Sequence, residues 1–135
     1  MALTEASPRE RNVIAITAKF KLPLSGTVIA GDCIGYSSGW KRALATVATA
    51  IQTKVIALEG GVSGDVIEVA REAIISGFSG GTPGGLVYNE EGGGVGGGYT
   101  ETAPSTTGDV NTILGHILSA SQILVAPSVR AGSTA

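Results

Sequence analysis

One cysteine and one histidine are all that this chain of 135 residues holds of the two residue types that dominate metal and redox chemistry. Cys33 alone cannot close an intramolecular disulfide, which suits a chain made in a reducing cytoplasm. His116 has no second histidine to work with, and neither C-x-x-C nor H-x-x-x-H spacing occurs, so no metal site is expected. Aromatic residues are only 4% and charged residues 15% of the chain, so large rings will not dominate the core. Nine basic against eleven acidic side chains leave a net charge of −2, too weak a field to recommend nucleic acid as a partner. Apolar runs such as Ile113–Leu118 and Ile123–Pro127 fall far short of the roughly 18 residues of a membrane helix. The Met1–Glu5 start lacks the basic and apolar regions of a secretory signal, so no membrane partner is expected. With no Gly-Lys pair, a phosphate-binding Walker loop is excluded.

What the chain does have is glycine, 21 of them, more than twice the average share of about 7%. Hydrophobic residues reach 43% and mean hydropathy is +0.31, too apolar for a disordered chain, so Ala, Val, Ile and Leu must build a packed interior. The length allows one domain. Residues 1–12 mix charges with Pro8 and show no apolar period, which reads as an extended arm that orders on a partner. Residues 13–127 form the domain, and 128–135 are a small polar tail that frays.

Within the domain, Val13–Leu24 places β-branched residues first, then alternates Lys19, Phe20, Lys21 and Leu22 until Pro23 stops it, as a strand does. Period 2 puts Lys19 and Lys21 on one face. Thr27–Ala30 and Cys33–Tyr36 read as short strands, Val55–Leu58 as a buried one, and Leu86–Tyr88 as a strand between turns. Ala43–Ile51 fits a helix or a quiet strand equally. Asp65–Ile75 matches the helix template, with apolar residues at 66, 67, 69, 70, 73 and 74 and Asp65 as N-cap, although its many β-branched residues suit a strand. Val110–Val125 reads as two strands joined at Ser119–Ser121. Turns recur as Gly-Asp or Gly-Gly before an apolar pair at Gly31, Gly64, Gly84 and Gly108, at unequal spacings that rule out a solenoid. Many short strands with tight corners describe an all-β barrel or sandwich.

Candidate chemistry is sparse. Gly92, Gly94 and Gly97 match G-x-G-x-x-G, as any glycine tract does, but Tyr99–Pro104 is a poor helix start for holding pyrophosphate, so no cofactor is expected and a hairpin loop is the simpler reading. His116 with Asp109 and a serine or Cys33 lacks a nucleophile elbow or any family signature, so the chain is not read as an enzyme. Cys33, among Ile29, Ala30 and Ile34, reads as an inert small hydrophobe. Glu90 and Glu91 are adjacent and point to opposite faces on a strand, so they do not pair for acid–base work. Lys19 and Lys21 guard an edge strand or form a basic rim that meets an acidic surface.

Four segments together carry a resemblance: Gly64–Ile74, Gly80–Tyr88 with its T-P-G-x-x-V-Y string, Gly97–Pro104 with T-x-T-A-P, and Leu114–Val125 with L-G-x-x-L-S-A. Over about residues 25–127 the chain resembles the small capsid cement, or decoration, proteins of tailed bacteriophages. The resemblance implies a β-rich domain, a compact barrel or jelly-roll-like sandwich, that binds the outside of an expanded head at subunit junctions and clamps them. It implies a strand rather than a helix at Gly64–Ile74, a turn at Thr82–Gly85, and no catalytic residues. The partners it implies are the major capsid protein and the chain itself as a dimer or trimer, with the virion exterior as its place. Candidate contact residues are Arg9, Arg11, Lys19, Lys21, Trp40 and Arg42, since exposed Trp and Arg are enriched at interfaces. The alternative is a tail- or fibre-associated virion module whose glycine-rich loop faces a receptor or glycan.

Overall fold

Apolar residues at alternate positions, interrupted by glycine-bearing turns, give strands throughout the residues that the computed structural model describes, which are 3–5, 11–46, 49–91 and 96–127. Among them there is no helix, and the strands form a curled antiparallel sheet, a half-barrel of the all-β class. The strands are β1 (Thr4–Glu5), β2 (Asn12–Pro23), β3 (Cys33–Tyr36), β4 (Trp40–Arg42), β5 (Val55–Ala57), β6 (Val66–Ser76), β7 (Phe78–Ser79), β8 (Leu86–Asn89), β9 (Tyr99–Thr100), β10 (Gly115–Ile117) and β11 (Gln122–Val125).

The long strand β6 is the spine. One of its edges pairs with β2 along the whole strand, from Pro23 opposite Val66 to Asn12 opposite Ser76. Its other edge is shared: β5 takes Val69 and Ala70, and β11 takes Ala73–Ser76. Two wings therefore diverge from β6, one running β5-β3-β4 and the other β11-β10-β8-β9. Their far ends meet where Gly97 N–H donates to Ala43 C=O at 2.7 Å, Ala45 N–H to Glu90 C=O at 3.1 Å and Val110 N–H to Ala45 C=O at 2.9 Å. The curl follows from these bonds together with the twist of each strand.

Two apolar clusters fill the interior. Ile67 and Val69 of β6 join Leu24, Val28, Ile34, Val55 and Ala57 in one, while Ala73 and Ile75 join Leu3, Ile56, Phe78, Val87, Leu114, Ile117, Ile123 and Val125 in the other. Between them Arg71 and Glu72 are exposed, at the point where β5 has ended and β11 has not begun.

The Asp65–Ile75 segment is a strand, as the resemblance implies and the helical template does not. Ladder bonds to both neighbours and burial of Ile67, Val69, Ala73 and Ile75 outweigh a helix preference that the β-branched residues already weaken. Asp65 closes the preceding turn, its carboxylate accepting from Val62 N–H at 2.9 Å. Thr27–Ala30 makes only a single bridge, Val28 to Gly61, rather than a strand. Ala43–Ile51 is neither helix nor strand at its described residues and holds one bridge, Leu44 to Ile51. The turn at Thr82–Gly85 is present, with Gly85 N–H on Thr82 C=O at 2.9 Å, and leads directly into β8. The expected arm is part of the fold at its described positions: Leu3 is buried, Thr4 and Glu5 pair with Ser79 and Phe78, and Asn12 already belongs to β2. Arg9 and the tail from residue 128 onward lie outside the described residues.

Two backbone details carry consequences for stability. Ala18 sits mid-strand at φ +59°, a left-handed conformation that costs an L-residue about 1–2 kcal/mol. At Gly115 a Cβ would lie 1.8 Å from the Leu124 carbonyl oxygen, so only glycine lets β10 and β11 approach this closely. Ala18→Gly is expected to raise the unfolding free energy by roughly 0.5–1 kcal/mol and Gly115→Ala to lower it by about 3 kcal/mol or more, both read from urea melts. A melt of Gly115→Ala matching wild type would contradict the register given for β10 and β11.

Candidate interaction surface

Asp32 is fully buried in the turn before β3 and is the hub of an internal charge network. Its Oδ1 accepts from Arg11 Nη1, and its Oδ2 accepts from Arg42 Nε at 2.6 Å and from Ile29 N–H at 2.8 Å. Arg11 completes its fork on Glu5, with Nε to Oε1 at 2.7 Å and Nη2 to Oε2 at 3.1 Å, and Nη2 also donates to Gly97 C=O at 2.9 Å. The guanidinium lies 5.2 Å from the Tyr99 ring centre, and the Tyr99 hydroxyl donates to Gly31 C=O at 2.6 Å. Two carboxylates and two guanidiniums cancel in charge, which is the condition for burying ions at all. Burial opposes the Arg11 charge, but the Glu5 hydrogen bond and the neighbouring Tyr99 and Asp32 groups outweigh it and hold its pKa above the ordinary value. Burial pushes the Tyr99 phenol well above its ordinary value, with Arg11 pulling the other way. Gly97 belongs to the same assembly: at φ +74°, a Cβ there would meet the Asp32 carboxylate at 2.8 Å.

This network corrects two of the expected contact residues. The Arg11 side chain is 1% exposed, inside the fold rather than on a surface that a partner meets. Arg42 is half-buried with its Nε committed to Asp32. Trp40 packs on the cluster around Leu24 and Ile34 and stacks edge-on with Tyr36 at 5.2 Å, so truncating it removes core packing as well as surface. Among the described residues of the expected set, Lys19 and Lys21 alone stand out on an exposed strand, and the register puts them on one face, opposite Ala70 and Glu68. Lys19 reaches Glu68 at 3.3 Å across the ribbon, an exposed pair worth at most a fraction of a kcal/mol.

The largest exposed element is β2 itself. Its residues are nearly all exposed, and among the described residues no strand pairs with its outer edge. Ile16 and Phe20 lie opposite the buried Ala73 and Val69, on the core side of the ribbon, yet remain 44% and 40% exposed because β2 overhangs the rim of the half-barrel. Ile14, the extra residue of a bulge between Val13 and Ala15, is 55% exposed. The sequence reading missed these three apolar residues, although Val13–Ile16, apolar at both parities, signals a strand that does not hide one face.

Glu91 and Asp109 form a second feature. The hydrogen bond with buried Asp109 is the main cause that raises the Glu91 pKa, with burial adding to it. Glu91 is thus coupled to a carboxyl from a distant loop. Glu90 and Glu91 border a cleft of about 320 Å³ with Thr100, Thr102, Ala103, Pro104 and Ser105. His116 is exposed on β10 between Leu86 and Leu124, and Cys33 is fully buried with its Sγ 3.6 Å from Gly98 C=O. Of the G-x-G-x-x-G positions, Gly92 and Gly94 lie outside the described residues, and Gly97 is packed on Asp32.

Compared with models of protein families, with curated proteins and with solved structures, the chain matches none.

Replacing Asp32 with Ala is expected to cost about 3–5 kcal/mol in a denaturant melt, because two guanidiniums lose the carboxylate that neutralises them. Tyr99 supplies a pH test. Its folded pKa is raised, so its contribution to stability is full below about pH 10, where the unfolded phenol is still protonated, and is lost as pH climbs above that value. Wild type should therefore lose stability more steeply above pH 10 than Tyr99→Phe, which itself loses about 1–2 kcal/mol at neutral pH with the Gly31 hydrogen bond. Parallel alkaline slopes for the two proteins would refute the assignment.

Proposed function

We propose that the chain is a structural virion protein that binds the outer capsid surface at subunit junctions and stabilises the expanded head. The observation that carries this reading is the β2–β6 ribbon, a long exposed strand with apolar side chains on one face and Lys19 and Lys21 on the other. Such a ribbon presents alternate side chains to a partner along its whole length, apolar on one face and basic on the other. The segments on which the resemblance to cement proteins rests also agree with it locally, Gly64–Ile74 being largely strand and Thr82–Gly85 a turn. Repetition over a lattice then turns modest single contacts into firm attachment. In this reading the major capsid protein is the partner and the capsid exterior the location.

The test is to mix purified protein with expanded, undecorated capsids, pellet them and count bound copies. Saturation at a simple multiple of the capsid subunit number is expected, and Lys19→Glu with Lys21→Glu should weaken binding by roughly tenfold with little change in melting temperature, as rim charges do. Failure of folded protein to co-sediment would overturn the capsid reading and favour the tail or fibre alternative.

A further inference from the structure

We propose that β2 pairs with β2 of a second copy, antiparallel about a two-fold axis through Ala18, so that two half-barrels join into one continuous sheet. The argument is the self-complementarity of the strand. In an antiparallel pair centred on Ala18, Ile16 stands opposite Phe20 of the second copy and Phe20 opposite Ile16; the bulge at Ile14 takes that residue out of the pairing. Ile16 and Phe20, the exposed apolar side chains on the face that already carries Ala73 and Val69, thus cover one another. Across the joint the row reads Ala73, Ile16, Phe20, Val69, an apolar stripe shared by four strands.

The opposite face is equally consistent in charge. Lys19 stands opposite Thr17 of the second copy, whose neighbour on β6 is Glu72, and Lys21 opposite Ala15, whose neighbour is Ile74. No lysine stands directly opposite a lysine, and the two copies of Lys19, diagonal across the axis, each have Glu68 as a partner within their own copy. Moving the axis to residue 19 or 20 would set Lys19 against Lys19 or against Lys21, a repulsive arrangement. Moving it to residue 17 would leave Ile16 opposite Ala18 with its apolar surface only partly covered. Ala18, at φ +59°, divides β2 into two halves, and an axis through this bend lets each half pair with the other half of the second copy. The strand is 12 residues long, an edge of roughly 40 Å at about 3.4 Å per residue. That length exceeds the usual strand and is the kind of edge that natural proteins cover when they do not blunt it.

The proposal concerns the isolated chain and does not depend on what the protein decorates. Sedimentation equilibrium of the purified protein should give twice the 13.4 kDa chain mass at micromolar concentration, and Phe20→Lys should give a folded monomer whose melting temperature, unlike that of the wild type, does not rise with protein concentration. The register has its own test. Ile16→Cys with Phe20→Cys in one chain should oxidise to a covalent dimer, because directly opposed residues lie about 4.5–5.5 Å apart at Cα, within disulfide reach. Either cysteine alone should not, being about four residues out of register with its own copy. Cys33 is buried and does not interfere. A monomer at all concentrations, a trimer, or a dimer that survives Phe20→Lys and does not cross-link would each overturn the proposal. Capsid pelleting of the wild-type protein reports separately on the capsid reading, since it scores attachment whatever the oligomeric state of the free chain.

Discussion

A buried carboxylate sets the terms for the rest of this fold. Asp32 is fully buried and holds groups from distant places, among them Arg11 just before β2, Arg42 at the end of β4, and the backbone of Ile29. Removing a carboxylate from water is tolerable only with such partners. The partners in turn fix where the chain can go. Arg11 must enter the interior, which draws Glu5 and β1 with it, and Gly97 must present its carbonyl to the same guanidinium. The closing segment of one wing is thereby held against the turn that begins the other.

Around that hub the sheet depends on β6. A strand of 11 residues can serve two cores because the residues it gives them come in two pairs, Ile67 and Val69, then Ala73 and Ile75, with Ala70 buried outside both clusters. Between the pairs the partner strand changes from β5 to β11, and Arg71 and Glu72 occupy the gap where neither covers them. The wings can then swing towards each other and bond at Ala43–Ala45 without straining either ladder. β2 follows β6 for its full length; Val13 and Leu22 pack against the two clusters, while Ile14, Ile16 and Phe20 remain exposed at the rim. Its exposure is a geometric result of pairing with a strand longer than the barrel it spans.

The candidate surface was half legible beforehand. The alternation of Lys19, Phe20, Lys21 and Leu22 gave the strand, and period 2 gave the shared face of the lysines. Arginine and tryptophan misled, because their enrichment at interfaces says nothing about a side chain that already has a partner inside. Arg11 and Arg42 have Asp32, and Trp40 has Leu24 and Ile34. Distances of 21 residues between Arg11 and Asp32, and 86 between Arg11 and Gly97, leave no periodic trace in a sequence.

By itself the sequence determined the class of fold, the turns at Thr82–Gly85 and Ser119–Ser121, the apolar setting of Cys33 and the face shared by Lys19 and Lys21. These follow from local chemistry: glycine and proline restrict or free the backbone where they stand, and side chains alternate along any strand. Only the tertiary structure decided that Asp65–Ile75 is a strand, that Arg11 is internal, and that Ile16 and Phe20 stay exposed on the core side of their sheet. Each of those depends on which distant segment lies alongside, since burial and ion pairing are set by neighbours in space and not by neighbours in the chain.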